Sequence, residues 1–406
     1  GRNHGRKPST GHRALQPKQG RPVKVLHVAP SYYPATFWGG PIWSTKAICD
    51  AIAADPDVTL RVLTTDAAGP QVGDRVTPAA LPYPVHYARR IAGHSFAPGL
   101  VARLPAAIAW ADVVHLTATY NTPTLPTLMF ARLLNRPVVW SPRGALQATH
   151  DWDAAPRKRA KAIFERVANV LRPRDTVLHV TAQIEAARSV DRLRGITQVV
   201  IPNCVEVTAD VPRVARRDGK CRLVFLSRVH PKKGLGLLFD AMSQLPTSFS
   251  LDVYGTGPAE YVAELGARAA TFGGRIRMHG HVDGPAKTQA FANADLFVLP
   301  TFSENFGIAV AEAMAHGLPV LTTTGTPWQD TARFDCGRCI ELKRDNLATE
   351  IQALSLLDLP AMGARGRHWM RHSFSSDAMV ADFSALYRDL CAAHPRKGTA
   401  CAPLRS

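Results

Sequence analysis

Short apolar segments alternate along the chain with longer segments in which apolar residues recur every three or four positions. The short segments predict buried strands and the longer ones predict helices, because side chains repeat every second residue in a strand and about every 3.6 residues in a helix. The series begins with VKVLHVAP and PIWSTKAICDAIA and restarts, after a polar stretch, at CRLVFLS and LGLLFDAMSQL. Strands that are apolar throughout and separated by helices are typical of a parallel sheet covered on both faces.

This alternation predicts an α/β fold with two Rossmann-like, doubly wound domains in tandem. We place the first domain at residues 23–205 and the second at 206–374, with a polar, irregular linker after Pro202. A last amphipathic helix, 375–395, could pack on either domain, and a return to the first domain is one of the two arrangements that we consider. Ligands of such sheets bind beyond the carboxyl ends of the strands, so two facing domains form a central cleft lined by the loops that follow the strands.

The charge balance is strongly basic, with a formal net charge of +17 at pH 7. Residues 1–22 combine basic side chains with Gly, Pro and Gln and contain no acid, which predicts a disordered arm. A basic protein is attracted to anionic partners, namely a membrane surface, a nucleic acid or a phosphorylated substrate. An arginine-rich surface that reflects codon usage and has no function is the alternative.

The cysteines and the apolar runs restrict the environment of the protein. Seven scattered cysteines are an odd number in a long chain, which argues against a disulfide framework and for a reducing compartment. Cys336 and Cys339 form a C-x-x-C without a second pair at metal spacing, so we do not expect a zinc site. No apolar run approaches the ~20 residues that span a bilayer, and no segment has the layout of a signal peptide. We expect the protein to be cytoplasmic, either free or attached peripherally to the inner face of the membrane.

One segment, residues 157–174, combines a dense run of basic residues with apolar residues at helical spacing. Such a helix suits an anionic membrane surface, and the N-terminal arm would add to the same attraction. The alternative is a helix packed on the core with a solvated basic face. The sequence leaves both interpretations open.

Two turns after predicted strands of the second domain carry candidate chemistry. Neither domain has the G-x-G-x-x-G fingerprint of dinucleotide-binding proteins. Instead, SRVHPKKG places Arg228 and Lys233 at a strand-to-helix turn, where cations and a helix N-terminus suit a diphosphate. A solvated basic loop is the alternative. The nearby VYGTGP, with Gly255, is weak by itself because any tight turn uses such glycines.

The stretch PTFSENFGIAVAEAMAHGLPV holds two glutamates eight positions apart, Glu304 and Glu312. Glu304 is predicted in the loop at the carboxyl end of a buried strand, and Glu312 in an otherwise apolar helix that begins near Phe306 with Asn305 as its cap. An acid in an apolar helix needs a partner or a cavity. Two acids beside a phosphate site suggest that sugar hydroxyls are ligands. The alternative pairs Glu312 with an arginine and leaves Glu304 in solvent.

These motifs together resemble the retaining glycosyltransferases of family 4, which have the GT-B fold. The resemblance covers nearly everything from Val23 to about Ala393. Its most specific element is the E-x7-E from Glu304 to Glu312, and SRVHPKKG, VYGTGP and PNCV occur in the family's order and spacing.

The resemblance implies a role for each matched position. Arg228 and Lys233 would bind the donor diphosphate and Glu304 would hold the hydroxyls of the transferred sugar, and these three are the predicted catalytic residues. Glu312 would bind the ribose hydroxyls. Backbone amides after Glu304, the backbone beside the nucleobase and a glycine loop of the first domain complete the implied donor site, which comprises Gly40, Arg143, Gly255, Val282, Asn305, Phe306 and Gly307.

Three positions depart from the family pattern. Arg143 stands where many members have a histidine that contacts the transferred sugar. Thr117 replaces the second histidine of an H-x-H-like run that begins at His115, and Cys204 replaces a glycine. His115 is therefore either a structural residue at a strand end or, as the alternative, a base. D-x-D occurs twice, at 55–57 and 151–153, but neither copy follows a long apolar strand, so no metal site is expected.

The resemblance implies a retaining glycosyltransferase of the hexosyltransferase type. It would move a sugar from a nucleotide-diphosphate donor, such as a UDP- or GDP-sugar, to a glycan or lipid-linked acceptor in bacterial-type polysaccharide or glycolipid assembly. No metal or other cofactor is expected, because protein cations take the place of the metal. A GT-B enzyme that isomerises or phosphorolyses its substrate is the first alternative. A nucleic-acid-binding protein is the second, and the absence of an evident recognition helix disfavours it.

Overall fold

The structure is a computed structural model that describes residues 21–147, 158–189, 192–207, 219–342 and 344–394. The predicted basic arm up to residue 20 lies outside these ranges, as does most of the predicted linker. The described residues form two parallel sheets, each with helices on both faces. The α/β fold class with two doubly wound domains is therefore confirmed.

The first domain is built on a seven-stranded sheet in the order β3-β2-β1-β4-β5-β6-β7. Its strands are β1 (Val23–Val28), β2 (Val58–Thr65), β3 (Val85–Ala88), β4 (Val113–Thr117), β5 (Val138–Ser141), β6 (Val177–Val180) and β7 (Thr197–Val200). Its helices are α1 (Gly40–Ala53), α2 (Pro98–Trp110), α3 (Thr124–Leu133), α4 (Lys158–Leu171) and α5 (Gln183–Ser189). The strand order reverses at β1, which is where ligands of doubly wound sheets bind.

The second domain has a six-stranded parallel sheet in the order β10-β9-β8-β11-β12-β13. Its strands are β8 (Cys221–Leu226), β9 (Phe249–Tyr254), β10 (Ile276–Gly280), β11 (Leu296–Val298), β12 (Val320–Thr323) and β13 (Gly337–Ile340). Its helices are α6 (Leu235–Gln244), α7 (Ala259–Ala270), α8 (Gly284–Ala292), α9 (Ile308–Ala315), α10 (Arg344–Ser355) and α11 (Leu359–Ser373). The strand order reverses at β8, which lies between β9 and β11. The loops after β8 and β11 therefore meet at this switch point.

The last helix, α12 (Ser376–Ala393), leaves the second domain and packs on the first. Its buried Phe383 and Tyr387 share a hydrophobic cluster with Val25 of β1 and Ile48 of α1. The chain therefore passes between the domains twice. The two passages lie side by side, because the amide of Val205 donates to a carbonyl at residue 374 at 2.9 Å.

Two local predictions were wrong. Helix α9 begins at Ile308 rather than near Phe306, and its N-cap is Gly307 rather than Asn305. Gly307 has φ 75°, a left-handed conformation in which glycine carries no steric cost, and the Asn305 side chain is used elsewhere, as described below. Strand β13 was not predicted, because Gly337–Ile340 is too short and too polar to register as a strand.

Candidate active site

The loops that follow β8 and β11 are bonded to each other at the carboxyl edge of the second sheet. The amide of Phe302 donates to the carbonyl of Lys232 at 2.9 Å, and the hydroxyl of Thr301 donates to the same carbonyl at 3.1 Å. The amide of Glu304 donates to the carbonyl of Gly325, after β12, at 2.9 Å. Three strand ends therefore fix the position of Glu304.

The structure brings Lys233 and Glu304 into direct contact, with Lys233 Nζ donating to Glu304 Oε1. Their side chains are 8% and 17% exposed, so the ion pair is largely shielded from water. Burial lowers the pKa of Lys233, the Glu304 carboxylate opposes that shift, and the neighbouring Arg228 and Lys232 reinforce it. The pair therefore holds a poorly solvated cation at the end of the sheet.

The turn around Lys233 depends on a glycine. Gly234 has φ 69° and is the N-cap of α6. A Cβ at this position would lie 2.0 Å from the carbonyl oxygen of Pro300. Only glycine therefore lets the start of α6 approach the end of β11 this closely, which places Lys233 beside the helix N-terminus.

The G-x-G turn after β9 supports the segment that carries Arg228. A Cβ at Gly255 would lie 1.8 Å from the carbonyl oxygen of Ser227, and one at Gly257 would lie 1.8 Å from that of Val229. Both glycines therefore let this turn lie directly on the backbone around Arg228, whose side chain is exposed. The G-x-G pattern, which was weak evidence for a binding site in the sequence, therefore has a packing cause. Gly255 lies against backbone rather than open space.

Glu312 has a different lysine partner. Its Oε1 accepts a hydrogen bond from Lys287 Nζ of α8 at 2.8 Å, and its side chain is 23% exposed. The alternative that paired Glu312 with an arginine was wrong about the residue type, since the partner is a lysine. Val282 lies half-buried in the loop between β10 and α8, five residues before Lys287.

The two domains touch at Asn305. Its side-chain amide lies 2.7 Å from the amide of Gln147 and 3.3 Å from the hydroxyl of Thr181, both in the first domain. It also lies 2.9 and 3.0 Å from the carboxylate oxygens of Glu185, which can only accept, so the amide nitrogen faces that carboxylate. The predicted donor-site residue Asn305 therefore closes the cleft at this point.

Sequence reasoning missed Glu185. This carboxylate is 1% exposed and accepts hydrogen bonds from the amides of Gly144 and Thr181, each at 2.7 Å. Burial raises its pKa, while these hydrogen bonds and the charge of Arg143 oppose the shift. A lone acid in the first turn of α5, inside AQIEAARS, is the signal that could have pointed to it.

Arg143 has a left-handed backbone, with φ 54°, which is uncommon for a residue with a side chain. Its Nη1 donates to Asn203 Oδ1 at 2.9 Å. Its Nε and Nη2 are buried and have no hydrogen-bond partner among the residues that the structure describes. Burial lowers its pKa to about 10, with Glu185 opposing the shift, so Arg143 remains a cation at neutral pH.

The first domain contributes an open glycine loop to the same edge. Gly39 has φ 72°, and Gly40 begins α1. A Cβ at either position would meet no atom within 4 Å, so this loop faces free space. The side chains of Phe37 and Trp43 beside it are 63% and 39% exposed. Phe306 lies on the other side of the cleft, where its carbonyl accepts from Trp328 Nε1 at 2.6 Å.

A buried hydrogen-bond chain lies under this edge of the first sheet, and its direction can be worked out. The carbonyl of Ile201 only accepts, so His179 Nε2 donates to it at 2.9 Å, and the neutral His179 accepts at Nδ1 from the Ser141 hydroxyl at 2.6 Å. Ser141 therefore accepts from His115 Nε2 at 2.7 Å, and Tyr387 of α12 donates to His115 Nδ1 at 2.7 Å. Every ring in the chain is neutral.

This chain decides between the two interpretations of His115. Its ring is fully buried, and both nitrogens are bonded. Burial is the main cause that lowers its pKa well below the usual value, and the same cause lowers the pKa of His179 to about 3. A third buried histidine, His27, bonds to Thr117 at 2.8 Å and has a pKa of about 3 for the same reason. His115 is a structural residue that holds α12.

The first D-x-D is used structurally. Asp55 accepts from the amide of Asp57 at 2.9 Å and from the hydroxyl of Ser384 in α12 at 2.5 Å. The second, at 151–153, lies outside the described residues. Across the described ranges, no three His, Cys, Asp or Glu side chains converge as a metal-binding group. None of the helices in those ranges combines the length and the hydrophobicity that crossing a lipid bilayer requires.

Comparisons with known proteins point to one family. Residues 220–355 match the family model "Glycosyl transferases group 1". A phosphatidyl-myo-inositol mannosyltransferase of Mycobacterium tuberculosis is 35% identical over 138 residues, which are 32% of this chain and 35% of that protein. The Mycobacterium leprae protein of the same name is 29% identical over 281 residues, which are 65% of this chain and 69% of that protein. The first match therefore spans about a third of the relative's length.

A solved structure covers the whole fold. The Anabaena protein HepE in complex with UDP superposes with a TM-score of 0.68 over 91% of this chain and 100% of that one. The sequence identity is 17%, so this likeness shows the fold alone. The family match falls within the domain that carries Arg228, Lys233 and both glutamates.

Proposed function

We propose that this chain, a family-4-like group 1 glycosyltransferase with the GT-B fold, transfers a sugar from a nucleoside-diphosphate donor to a glycan or lipid-linked acceptor. The transfer is proposed to retain the configuration of the anomeric carbon. UDP- and GDP-sugars are the donors to test first. The observation that carries the proposal is the shielded Lys233–Glu304 pair at the meeting point of three strand ends.

The pair supplies one group for each half of the donor. Lys233 is a buried cation beside the N-terminus of α6, and Arg228 is exposed on the same turn, so both suit a diphosphate. Glu304 is an acceptor-only group that suits sugar hydroxyls. Glu312, beside Lys287 and the loop of Val282, suits the ribose next to a nucleobase.

The reaction follows from these assignments. The bond between the anomeric carbon and the diphosphate oxygen breaks, a bond from the acceptor oxygen to that carbon forms, and the proton of the acceptor hydroxyl passes to the leaving diphosphate. Negative charge grows on the diphosphate as its bond breaks, and Lys233 and Arg228 stabilise that charge. These cations take the role that a metal ion has in other glycosyl transfers, so we propose that the enzyme needs no metal.

Retention is supported by the residues available as bases. Inversion requires a general base on the sugar face opposite the leaving group. Arg143 is a cation, and His115 is buried with both nitrogens bonded, so neither can take a proton from an acceptor. Attack from the same face as the leaving group then gives an α-glycoside from an α-linked donor.

The acceptor is proposed to bind at the first domain, beside Gly40. The exposed rings of Phe37 and Trp43 offer apolar faces there, which suit sugar rings or the apolar part of a glycolipid. The mycobacterial relatives are named as mannosyltransferases that act on phosphatidyl-myo-inositol, which supports a glycolipid.

The test has three readouts. Nucleotide sugars are first screened by thermal shift, and the product of the best donor is then analysed by NMR, where an α linkage from an α donor is expected. A β linkage contradicts retention. Full activity in excess chelator is expected, whereas activity that is lost and then restored by Mn²⁺ or Mg²⁺ contradicts metal independence. Phosphate-dependent product without an acceptor would instead establish a phosphorolytic enzyme.

A further inference from the structure

Helix α4 exposes apolar residues along one stripe. Ile163, Val167 and Val170 are 59%, 39% and 67% exposed, and their spacing of four and three residues places them on one face of the helix. Water-exposed aliphatic residues that recur at helical spacing are unusual, because such positions normally face the core. Here the core side is taken by other residues, among them the buried Ala168.

The same face of α4 carries arginines and no acid. Arg159 and Arg166 are exposed on the line of the aliphatic residues, and Arg174 is exposed three residues after the helix ends. The acid of α4, Glu165, points the other way, is 7% exposed and forms an ion pair with Arg192. We call the surface formed by Arg159, Ile163, Arg166, Val167, Val170 and Arg174 the α4 stripe.

A neighbouring helix extends the α4 stripe. Leu133, at the end of α3, is 71% exposed. It lies beside the C-terminal end of α4, because the adjacent Arg132 donates from Nη1 to the carbonyl of Val170. The surface therefore combines exposed aliphatic residues with arginines between them, whose long side chains can reach lipid headgroups while the aliphatic residues insert.

We propose that the α4 stripe is a docking surface for an anionic lipid membrane, into which Ile163, Val167 and Val170 insert while the arginines bind lipid headgroups. This surface is separate from the donor site, so the proposal does not depend on the proposed reaction. It goes beyond the sequence, which left a core-packed helix open as an equal alternative. Phe164 and Leu171 pack against the core, as that alternative requires, whereas Ile163, Val167 and Val170 are exposed.

The position of α4 relates this surface to the cleft. The helix joins β5 to the parallel β6, so it runs back along the sheet and its N-terminal end lies at the carboxyl edge of the strands. Gly144 and Gln147, which follow β5, meet the second domain at that edge. Docking through α4 would therefore bring the mouth of the cleft near the membrane surface.

Charge favours a membrane over the chain's own ends as the occupant. The stretches 1–20 and 395–406 contain basic residues and no acid, so they would be repelled by the arginines of the stripe. A second copy of the chain would bring like charges together for the same reason. An anionic bilayer matches both the positive charge and the exposed aliphatic residues.

The experiment compares three full-length variants with the wild type. The apolar variant is Ile163→Ser, Val167→Ser, Val170→Ser, and the charge variant is Arg159→Gln, Arg166→Gln, Arg174→Gln. The matched control, Leu356→Ser with Leu357→Ser, removes exposed leucines that are 82% and 45% accessible at a distant loop. Binding to vesicles of phosphatidylglycerol and phosphatidylcholine in equal parts is measured by co-sedimentation, with pure phosphatidylcholine vesicles as reference. Thermal unfolding shows that each variant is folded.

We expect the charge variant to bind the anionic vesicles on the order of 100-fold more weakly, since each basic residue near such a surface contributes about fivefold. The apolar variant should lose about tenfold or more, because its side chains no longer insert. The control should bind like the wild type. Wild-type binding by the apolar variant overturns the proposal, as does a wild type that binds neither vesicle. An apolar variant that only converts a dimer to a monomer in sedimentation would identify a second copy as the occupant and also overturn it.

Discussion

The change Glu304→Gln separates the two halves of the proposed donor site. In the structure Glu304 neutralises Lys233, whose side chain is only 8% exposed. A diphosphate that binds Lys233 must therefore compete with this carboxylate. The glutamine side chain keeps an oxygen that accepts the hydrogen bond but carries no charge, so the cation is left without its counter-ion.

The size of the effect follows from the burial of the pair. Removing one partner of a buried ion pair costs about 3–5 kcal/mol because the other charge stays buried without compensation. Glutamine retains a neutral hydrogen bond, so we expect the ligand-free variant to lose about 2 kcal/mol of unfolding free energy. A bound diphosphate restores the missing negative charge. If it recovers about 1.4 kcal/mol of that loss, the free nucleoside diphosphate binds about tenfold more tightly than to the wild type.

Transfer should change in the opposite direction. Glu304 is proposed to hold the sugar, so its loss should reduce turnover by on the order of 10²-fold or more, the range for one lost transition-state contact. The variant would then bind UDP or GDP better and transfer sugar worse. A merely destabilised protein would show only the second effect.

The chain offers a matched control in Glu312→Gln. This residue is also a glutamate paired with a lysine, Lys287, at 2.8 Å. Its proposed role is at the ribose, so this variant should bind the free nucleoside diphosphate more weakly. Isothermal titration calorimetry with UDP and GDP measures both variants, and chemical unfolding measures their stability. Weaker nucleotide binding by Glu304→Gln, or near-normal transfer, would refute our assignment of Glu304, and unchanged binding by Glu312→Gln would refute the ribose role.

Three further predictions concern the rate, the glycine turn and pH. Lys233→Met and Arg228→Met should each lower the transfer rate by on the order of 10²-fold, measured in a coupled assay; a rate within a few fold of the wild type would show that neither cation stabilises the leaving group. Gly257→Ala should destabilise the protein by about 2 kcal/mol or more, because its Cβ would lie 1.8 Å from a carbonyl oxygen. The control Gly266→Ala in α7 should be neutral or stabilising, because its Cβ would meet no atom within 4 Å. Equal unfolding midpoints for the two variants would contradict this prediction. The three buried histidines of the first domain have pKa values lowered to about 3, or well below the usual value, while the unfolded chain binds their protons near pH 6.5. The contribution of these neutral rings to stability is therefore present above pH 6.5 and is lost below it. The unfolding free energy should fall by about 1 kcal/mol for each histidine between pH 6.5 and 5.5. Urea unfolding that is independent of pH over this interval would show that these rings are not buried in the neutral form.

The local pattern of the chain determined the fold class, and the resemblance of its motifs to known glycosyltransferases indicated the family. Apolar strands that alternate with amphipathic helices require a doubly wound sheet, because both faces of each strand must be covered. Lys233 and Glu304 could be picked out because each lies in the loop that follows a predicted strand, and all such loops meet at one edge of a parallel sheet. The fold class and the position of these loops need only periodicity and chain direction, which any contiguous segment carries, whereas the roles of the residues came from the resemblance.

Tertiary structure decided the partners. Glu185 lies about 120 residues before Asn305 in the chain, and nothing near either residue indicates that they meet across the cleft. His115 and Tyr387 are joined only because α12 returns to the first domain, and that return settles His115 as a structural residue. The face that α4 turns to water was equally beyond the sequence, since an amphipathic pattern shows that a helix has two faces but not which one the core accepts. Contacts between distant segments depend on how whole elements pack, so the sequence could identify the groups of this site while only the folded chain could pair them.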